Sequence, residues 1–243
     1  MILHKHAGIF AAGEGSRLQA AYPGMPKPMV PIFGKPLIEW TVKLLEAAGV
    51  EHVTILLNSK GKAAREHLKK AFPNLKFIFL VKDTRSSYES FRLVSQTLAM
   101  ESEKFLLSAV DSLYNPADLR QLLQYSQDNA FDALLGVTDR IEDEKPLWAD
   151  TDAAGRIVAL GDKAKKKITA TNGLYCFTAQ VAQEMPDPAR YTALRQYLGE
   201  LVHGGKTVYS ALIADSVDVD DPADIKLAEE FLRGSFGAQQ EDR

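Results

Sequence analysis

Short apolar runs alternate with amphipathic stretches along the first 140 or so residues. Ala7–Ala12, Val53–Leu57, Leu75–Val81, Phe105–Val110 and Ala133–Val137 are too short for core helices and read as buried strands. Between them, Pro36–Ala48, Lys62–Phe72, Tyr88–Met100 and Pro116–Ser126 carry apolar residues at helical spacing. In the first of these Leu37, Trp40, Leu44 and Leu45 share one side, Pro36 suits the first turn, and Gly49 suits the stop. Such alternation predicts an α/β fold, a largely parallel sheet with helices on both faces.

The later part changes character. Leu147–Asp152 and Arg156–Leu160, separated by Ala153-Ala154-Gly155, predict a hairpin. Ile168–Phe177 reads as a longer strand, Tyr191–Val202 as a helix, Thr207–Ile213 as a strand and Pro222–Leu232 as a final helix. No Pro/Gly/Ser-rich linker divides the chain, so we expect one domain over residues 1–236, with 237–243 a flexible tail.

Composition narrows the partners. A net charge of −3 offers no general attraction for nucleic acid or an anionic membrane, and no apolar run is long enough to span a bilayer. The one basic cluster, Lys163-Lys165-Lys166-Lys167, reads as a solvated loop. Cys176 stands alone between Tyr175 and Phe177, which suggests a small buried hydrophobe, no disulfide framework and a reducing, cytoplasmic setting. His4 and His6, without carboxylate or thiol company, read as exposed and idle.

Candidate chemistry lies at strand ends. The first strand opens into Ala12-Gly13-Glu14-Gly15-Ser16-Arg17, where a Gly-x-Gly turn can bare backbone N–H groups to an anion. Arg17 adds a planar fork suited to phosphate oxygens, and Lys27, clamped in Pro26-Lys27-Pro28, adds a point charge. Together they predict a nucleoside triphosphate as ligand. A dinucleotide fingerprint would need glycine where Leu18 stands, and a phosphate loop running from Gly8 to Gly13 would need Lys-Ser/Thr where Glu14-Gly15 stand. Asp111 also follows a strand, and in open α/β sheets ligands bind outside the carboxyl ends of strands, so Asp111 and the glycine loop should share one edge.

These residues resemble the nucleotidyltransferases that join a nucleoside triphosphate to a sugar 1-phosphate or similar phosphorylated alcohol. The opening signature of that family is matched by Gly13-Glu14-Gly15-Ser16-Arg17-Leu18, Pro26-Lys27-Pro28 and Met29-Val30-Pro31-Ile32-Phe33-Gly34-Lys35-Pro36. The resemblance implies a Rossmann-like α/β/α sandwich with a mixed, mostly parallel central sheet. It implies Mg²⁺ as cofactor, with Asp111 as first metal ligand and the second drawn from Val217-Asp218-Val219-Asp220-Asp221-Pro222, either Asp220 or Asp218. Asp221, before Pro222, suits a helix cap instead. Asn172-Gly173 resembles the strand that contacts the acceptor, and Lys163 a lysine that approaches the acceptor phosphate.

Two departures mark the match. Ala109-Val110 precedes the metal aspartate where glycine is common, and Thr84-Arg85-Ser86-Ser87-Tyr88-Glu89-Ser90 replaces the usual base-contacting stretch. That segment is more similar to the small cytidylyltransferases, including phosphocholine enzymes. Ser86 and Ser87 are thus nucleotide-binding candidates, with helix capping the alternative for both. In the implied reaction an acceptor phosphate oxygen attacks the α-phosphorus and pyrophosphate leaves. Arg17 would hold the β- and γ-phosphates and Lys27 would neutralise charge near the reacting phosphate. A molybdenum-cofactor nucleotidyltransferase, which Pro26-Lys27-Pro28 and Asn172-Gly173 disfavour, and a silent nucleotide-binding subunit are the alternatives.

Overall fold

The structure is a computed structural model describing residues 5–141 and 145–236. His4, one of the two histidines read as exposed and idle, and the tail expected at 237–243 lie outside the described residues. In chain order the elements begin with β1 (His6–Ala11), β2 (Pro31–Ile32), β3 (Lys35–Pro36), α1 (Leu37–Ala47), β4 (His52–Leu57) and α2 (Lys62–Ala71). Next come β5 (Lys76–Val81), α3 (Ser87–Leu98), β6 (Lys104–Ala109), β7 (Ser112–Tyr114), α4 (Pro116–Asp128) and β8 (Ala133–Thr138). The remainder are β9 (Trp148–Thr151), β10 (Ile157–Leu160), β11 (Thr169–Thr178), α5 (Ala179–Gln183), α6 (Leu194–His203), β12 (Val208–Leu212), β13 (Ser216–Asp218) and α7 (Asp224–Phe236).

Four strands in the order β6-β1-β4-β5 run parallel. The ten-residue β11 reverses direction beside β6 and also pairs antiparallel with β8 and β9, while β12 lies parallel to β8. The result is the expected mixed sheet. From β1 the chain builds outward through β4 and β5, then returns to place β6 on the other flank of β1. The carboxyl end of β1 is therefore a point where strand order reverses, which opens a crevice between diverging loops.

Apolar side chains fill both faces of the sheet. On one, Leu37, Trp40 and Leu44 of α1 and Leu119, Leu122 and Leu123 of α4 bury against it; on the other, Phe91 and Val94 of α3 and Leu198 of α6 do so. Cys176 lies in this core, its thiol pushed up to about 12 by burial, as expected of a structural cysteine. His6 is not idle: its ring stacks on His52 at 4.5 Å and its Nδ1 lies 3.4 Å from Glu101.

The elements that the hydrophobic pattern missed are short. β2, β3, β7 and β13 have two or three residues each, too few to show a period, and α5 has five. The last helix starts at Asp224 instead of Pro222, because the Asp224 carboxylate accepts the N–H groups of Asp220 and Asp221, both at 2.8 Å.

Gly173 sits in a register irregularity of β11 with φ of +80°, and a Cβ there would fall 2.1 Å from Ser112 Oγ. Gly173→Ala should destabilise the fold by ~1–3 kcal/mol in urea titration, through the left-handed backbone and the clash. Gly199→Ala, in α6 with open space around the new methyl, should instead stabilise by ~0.5–1 kcal/mol.

Candidate active site

The loop after β1 bends back on itself at Gly15, whose φ is +60° and whose carbonyl accepts the Leu18 N–H at 3.0 Å. The missing side chain matters for a second reason. A Cβ on Gly15 would lie 2.7 Å from Lys27 Cβ, so the lysine stem occupies the space glycine leaves. Pro26 enters and Pro28 continues a single 3₁₀ turn over Lys27–Met29, closed by the Val30 N–H on the Lys27 carbonyl. Lys27 is thereby held with its stem buried, 6% exposed, and its ammonium pointing at the strand ends.

Opposite it stand two aspartates from distant parts of the chain. β7 and β13 pair antiparallel, with Ser112 opposite Asp218, and the Val219 N–H donates to the Asp111 carbonyl at 3.0 Å. That small ladder sets Asp218–Asp220 against the bend after β6. Lys27 Nζ donates to Asp111 Oδ2 and, at 2.7 Å, to Asp220 Oδ1, while Arg17 pairs with Asp220 Oδ2 at 2.8 Å. The structure thus gathers Arg17, Lys27, Asp111, Asp218 and Asp220 in one cleft.

Electrostatics follow from this packing. Burial alone would depress Lys27, but the two carboxylates outweigh it and raise its pKa above the ordinary lysine value. Burial would raise Asp220, yet Lys27 and then Arg17 hold it below the usual carboxylate range. Asp218 is pushed up to about 7 by enclosure and by Asp111 and Asp220, against a Ser112 hydrogen bond.

A cleft of about 420 Å³ runs along the strand ends, walled by residues 12–17 and by Lys27, Thr84–Ser87, Asp111 and Asp220. Its walls include all of the expected Ala12, Gly13, Glu14, Gly15, Ser16, Ser86 and Ser87. Ser86 also caps α3, accepting the Glu89 N–H at 3.1 Å, and Ser87 Oγ accepts the Leu194 N–H at 3.0 Å. Helix capping and cleft lining therefore coincide in these serines.

A second lobe of about 220 Å³ adjoins the first and shares Ser87, Asp111 and Asp220 with it. Here two expectations are corrected. Asn172 is 1% exposed and its side chain lines neither lobe, because the alternation of β11 turns Thr171, Gly173 and Tyr175 toward the cleft instead. Lys163 lies exposed in the 3₁₀ turn Gly161–Lys163 and borders none of the cleft, since that turn packs against β9 instead. The cation that does line this lobe is Arg195, in the first turn of α6, with one guanidinium nitrogen donating to the Lys145 carbonyl at 2.8 Å. Nothing in its local sequence marks Arg195; only the docking of α6 against α3 through the Ser87–Leu194 bond brings it there.

The donor set suits a hard divalent ion. Two carboxylates already aim their oxygens at one cationic centre, the Lys27 ammonium. Among the described residues no cluster of three or more His, Cys, Asp or Glu side chains forms a full protein cage. Mg²⁺ characteristically takes one or two carboxylates and completes its shell with substrate phosphates and water, so these residues fit it.

Charge also gives a pH signature. The depressed Asp220 carboxyl contributes stability above the unfolded carboxylate pKa and loses it as pH falls through its lower folded value. The raised Lys27 contributes below the ordinary lysine pKa and is lost only as pH rises through its higher folded value. Urea midpoints measured from about pH 7 down to about pH 3 should fall more steeply for the wild type than for Asp220→Asn. Parallel acid limbs would contradict the ion pair.

Comparison with known proteins places the chain in a family. The family model described as MobA-like NTP transferase domain matches residues 7–179. The chain is 26% identical, over 94% of its length, to the bifunctional IPC transferase and DIPP synthase of Rubrobacter xylanophilus, and covers 52% of that protein. It is likewise 26% identical over 94% of its length to the mannose-1-phosphate guanylyltransferase of Mycobacterium tuberculosis, covering 63% of it. The chain thus spans less than two thirds of either curated relative. Among solved structures, the inositol-1-phosphate CTP transferase of T. maritima superposes with a TM-score of 0.79 at 22% identity, covering 96% of this chain and 98% of that one.

Proposed function

Since the chain belongs to the family of MobA-like NTP transferase domains, we propose that it joins a nucleoside triphosphate to a sugar 1-phosphate or similar phosphorylated alcohol and releases pyrophosphate. The observation that carries this reading is the convergence of Arg17, Lys27, Asp111 and Asp220 at the junction of two cleft lobes. One lobe suits a triphosphate and the other an acceptor, and the junction is where their phosphates would meet. The relatives named for nucleotidyl transfer to mannose 1-phosphate and inositol 1-phosphate support the same class of acceptor.

Both substrates are anions, so the chemistry is chiefly positioning and charge neutralisation. The glycine loop cradles the triphosphate with its backbone N–H groups, and Arg17 takes the β- and γ-phosphates that become pyrophosphate. Lys27 turns its ammonium from the carboxylates to the reacting phosphate. Arg195 faces the acceptor phosphate from the second lobe, whose other charged lining groups, Asp111, Asp218 and Asp220, are all acidic. An acceptor phosphate oxygen forms its bond to the α-phosphorus as the bond to the pyrophosphate oxygen breaks. No general base is required, because the attacking phosphate is already ionised. Asp111 and Asp220, with Asp218 the alternative to Asp220, would hold Mg²⁺, which would supply charge neutralisation at the α-phosphate.

A panel of four nucleoside triphosphates against several sugar 1-phosphates, inositol 1-phosphate and phosphocholine tests the proposal. Mg²⁺-dependent pyrophosphate release should appear with one base and one acceptor class; triphosphate binding without turnover across the panel would point to a silent binding protein. Arg17→Ala and Asp111→Asn should each lose ~10²-fold or more in turnover. In the same assay Arg195→Ala should raise the acceptor KM by ~10-fold or more, the scale of one charge-assisted hydrogen bond, and leave the triphosphate KM unchanged.

A further inference from the structure

We infer that Thr41, a buried residue of α1 outside the cleft, is a positioning residue that fixes the direction of the Asp111 carboxylate. This rests on the proposed role of Asp111 in holding a divalent ion. Between β6 and β7 the chain makes a two-residue bend at Val110-Asp111, and such a bend has no ladder of its own to hold its carbonyls. Three successive carbonyls are nevertheless engaged, each from a different source. Ser108 Oγ donates to the Ala109 carbonyl at 2.8 Å and itself accepts from the Tyr114 hydroxyl at 2.6 Å. Thr41 Oγ1 donates to the Val110 carbonyl at 2.8 Å, and the Val219 N–H donates to that of Asp111.

The Val110 carbonyl belongs to the peptide that carries the Asp111 nitrogen. Its direction therefore sets the plane from which the Asp111 side chain departs, and Thr41 is the group that sets it. The hydroxyl has one proton and two acceptors in reach, the Val110 carbonyl at 2.8 Å and the Leu37 carbonyl of its own helix at 3.3 Å. The shorter contact crosses to the bend. Thr41 is fully buried, as are Leu37, Ile38, Trp40, Val42, Leu44 and Leu45 of the same helix, so an apolar residue would serve its packing as well. A hydroxyl at such a position is retained at a cost in helix propensity and must be hydrogen-bonded.

The test compares Thr41→Val, close in shape but without the hydroxyl, with Thr41→Ser, which keeps it. Mn²⁺ affinity of the protein–triphosphate complex is read by electron paramagnetic resonance, beside metal-free triphosphate affinity and melting temperature. Thr41→Val should weaken Mn²⁺ by ~10-fold or more, the usual scale for groups that orient a metal ligand, with metal-free triphosphate binding unchanged. Thr41→Ser should restore wild-type Mn²⁺ affinity. A lowered melting temperature with unchanged Mn²⁺ affinity in Thr41→Val overturns the inference, as does a serine variant as weak as valine. Should Thr41→Val fail to fold, Thr41→Ala carries the same comparison. These readings need no acceptor, so absent pyrophosphate release in the wild type would count against the transferase, not against Thr41. A wild type that binds no Mn²⁺ with triphosphate overturns both.

Discussion

The cleft depends on one buried ammonium shared between two carboxylates. Asp111 and Asp220 repel each other, and Lys27, in a nearly closed setting, could not stay charged alone. Each of these unfavourable tendencies is cancelled only by the others. With Arg17 on the far oxygen of Asp220, two cations meet two carboxylates, whereas the aspartates without Lys27 would face each other as like charges. The neighbouring fold reads as the scaffolding for that meeting: Gly15 clears room for the lysine stem, the prolines fix its turn, and the β7–β13 ladder delivers the second aspartate.

The same centre explains why the site sits where it does. β1 and β6 are adjacent and parallel, so the loops that follow them leave the sheet together. Asp220 does not come from the large sheet at all. It lies two residues beyond the three-residue β13, which pairs with β7, and its backbone is then fixed by the Asp224 carboxylate at the start of α7. The glycine loop and the acidic pair are thus supplied by independent structural layers that meet edge to edge.

Much of this was legible in the sequence. The glycine loop, Lys27 and Asp111 follow strands whose apolar runs are unmistakable, and strand ends converge by the rules of parallel sheets. Asp218 and Asp220 were named through the family resemblance of the cluster before the last helix, although the ladder that seats them was too short to foresee. Asn172 and Lys163 went astray for a different reason. The register irregularity in β11 and the turn after β10 decide which side chains reach the cleft, and neither leaves a mark in the hydrophobic pattern. Arg195 was invisible because its place is set by how α6 docks on α3, a purely tertiary fact.

The late position of β13 has a temporal meaning. During synthesis the glycine loop, the lysine and the first aspartate leave the ribosome long before the segment around Asp220 exists. Until then Lys27 has Asp111 alone, and Arg17 lacks the carboxylate it pairs with in the folded protein. Closure of the polar centre therefore waits for β13, the last strand among the described residues.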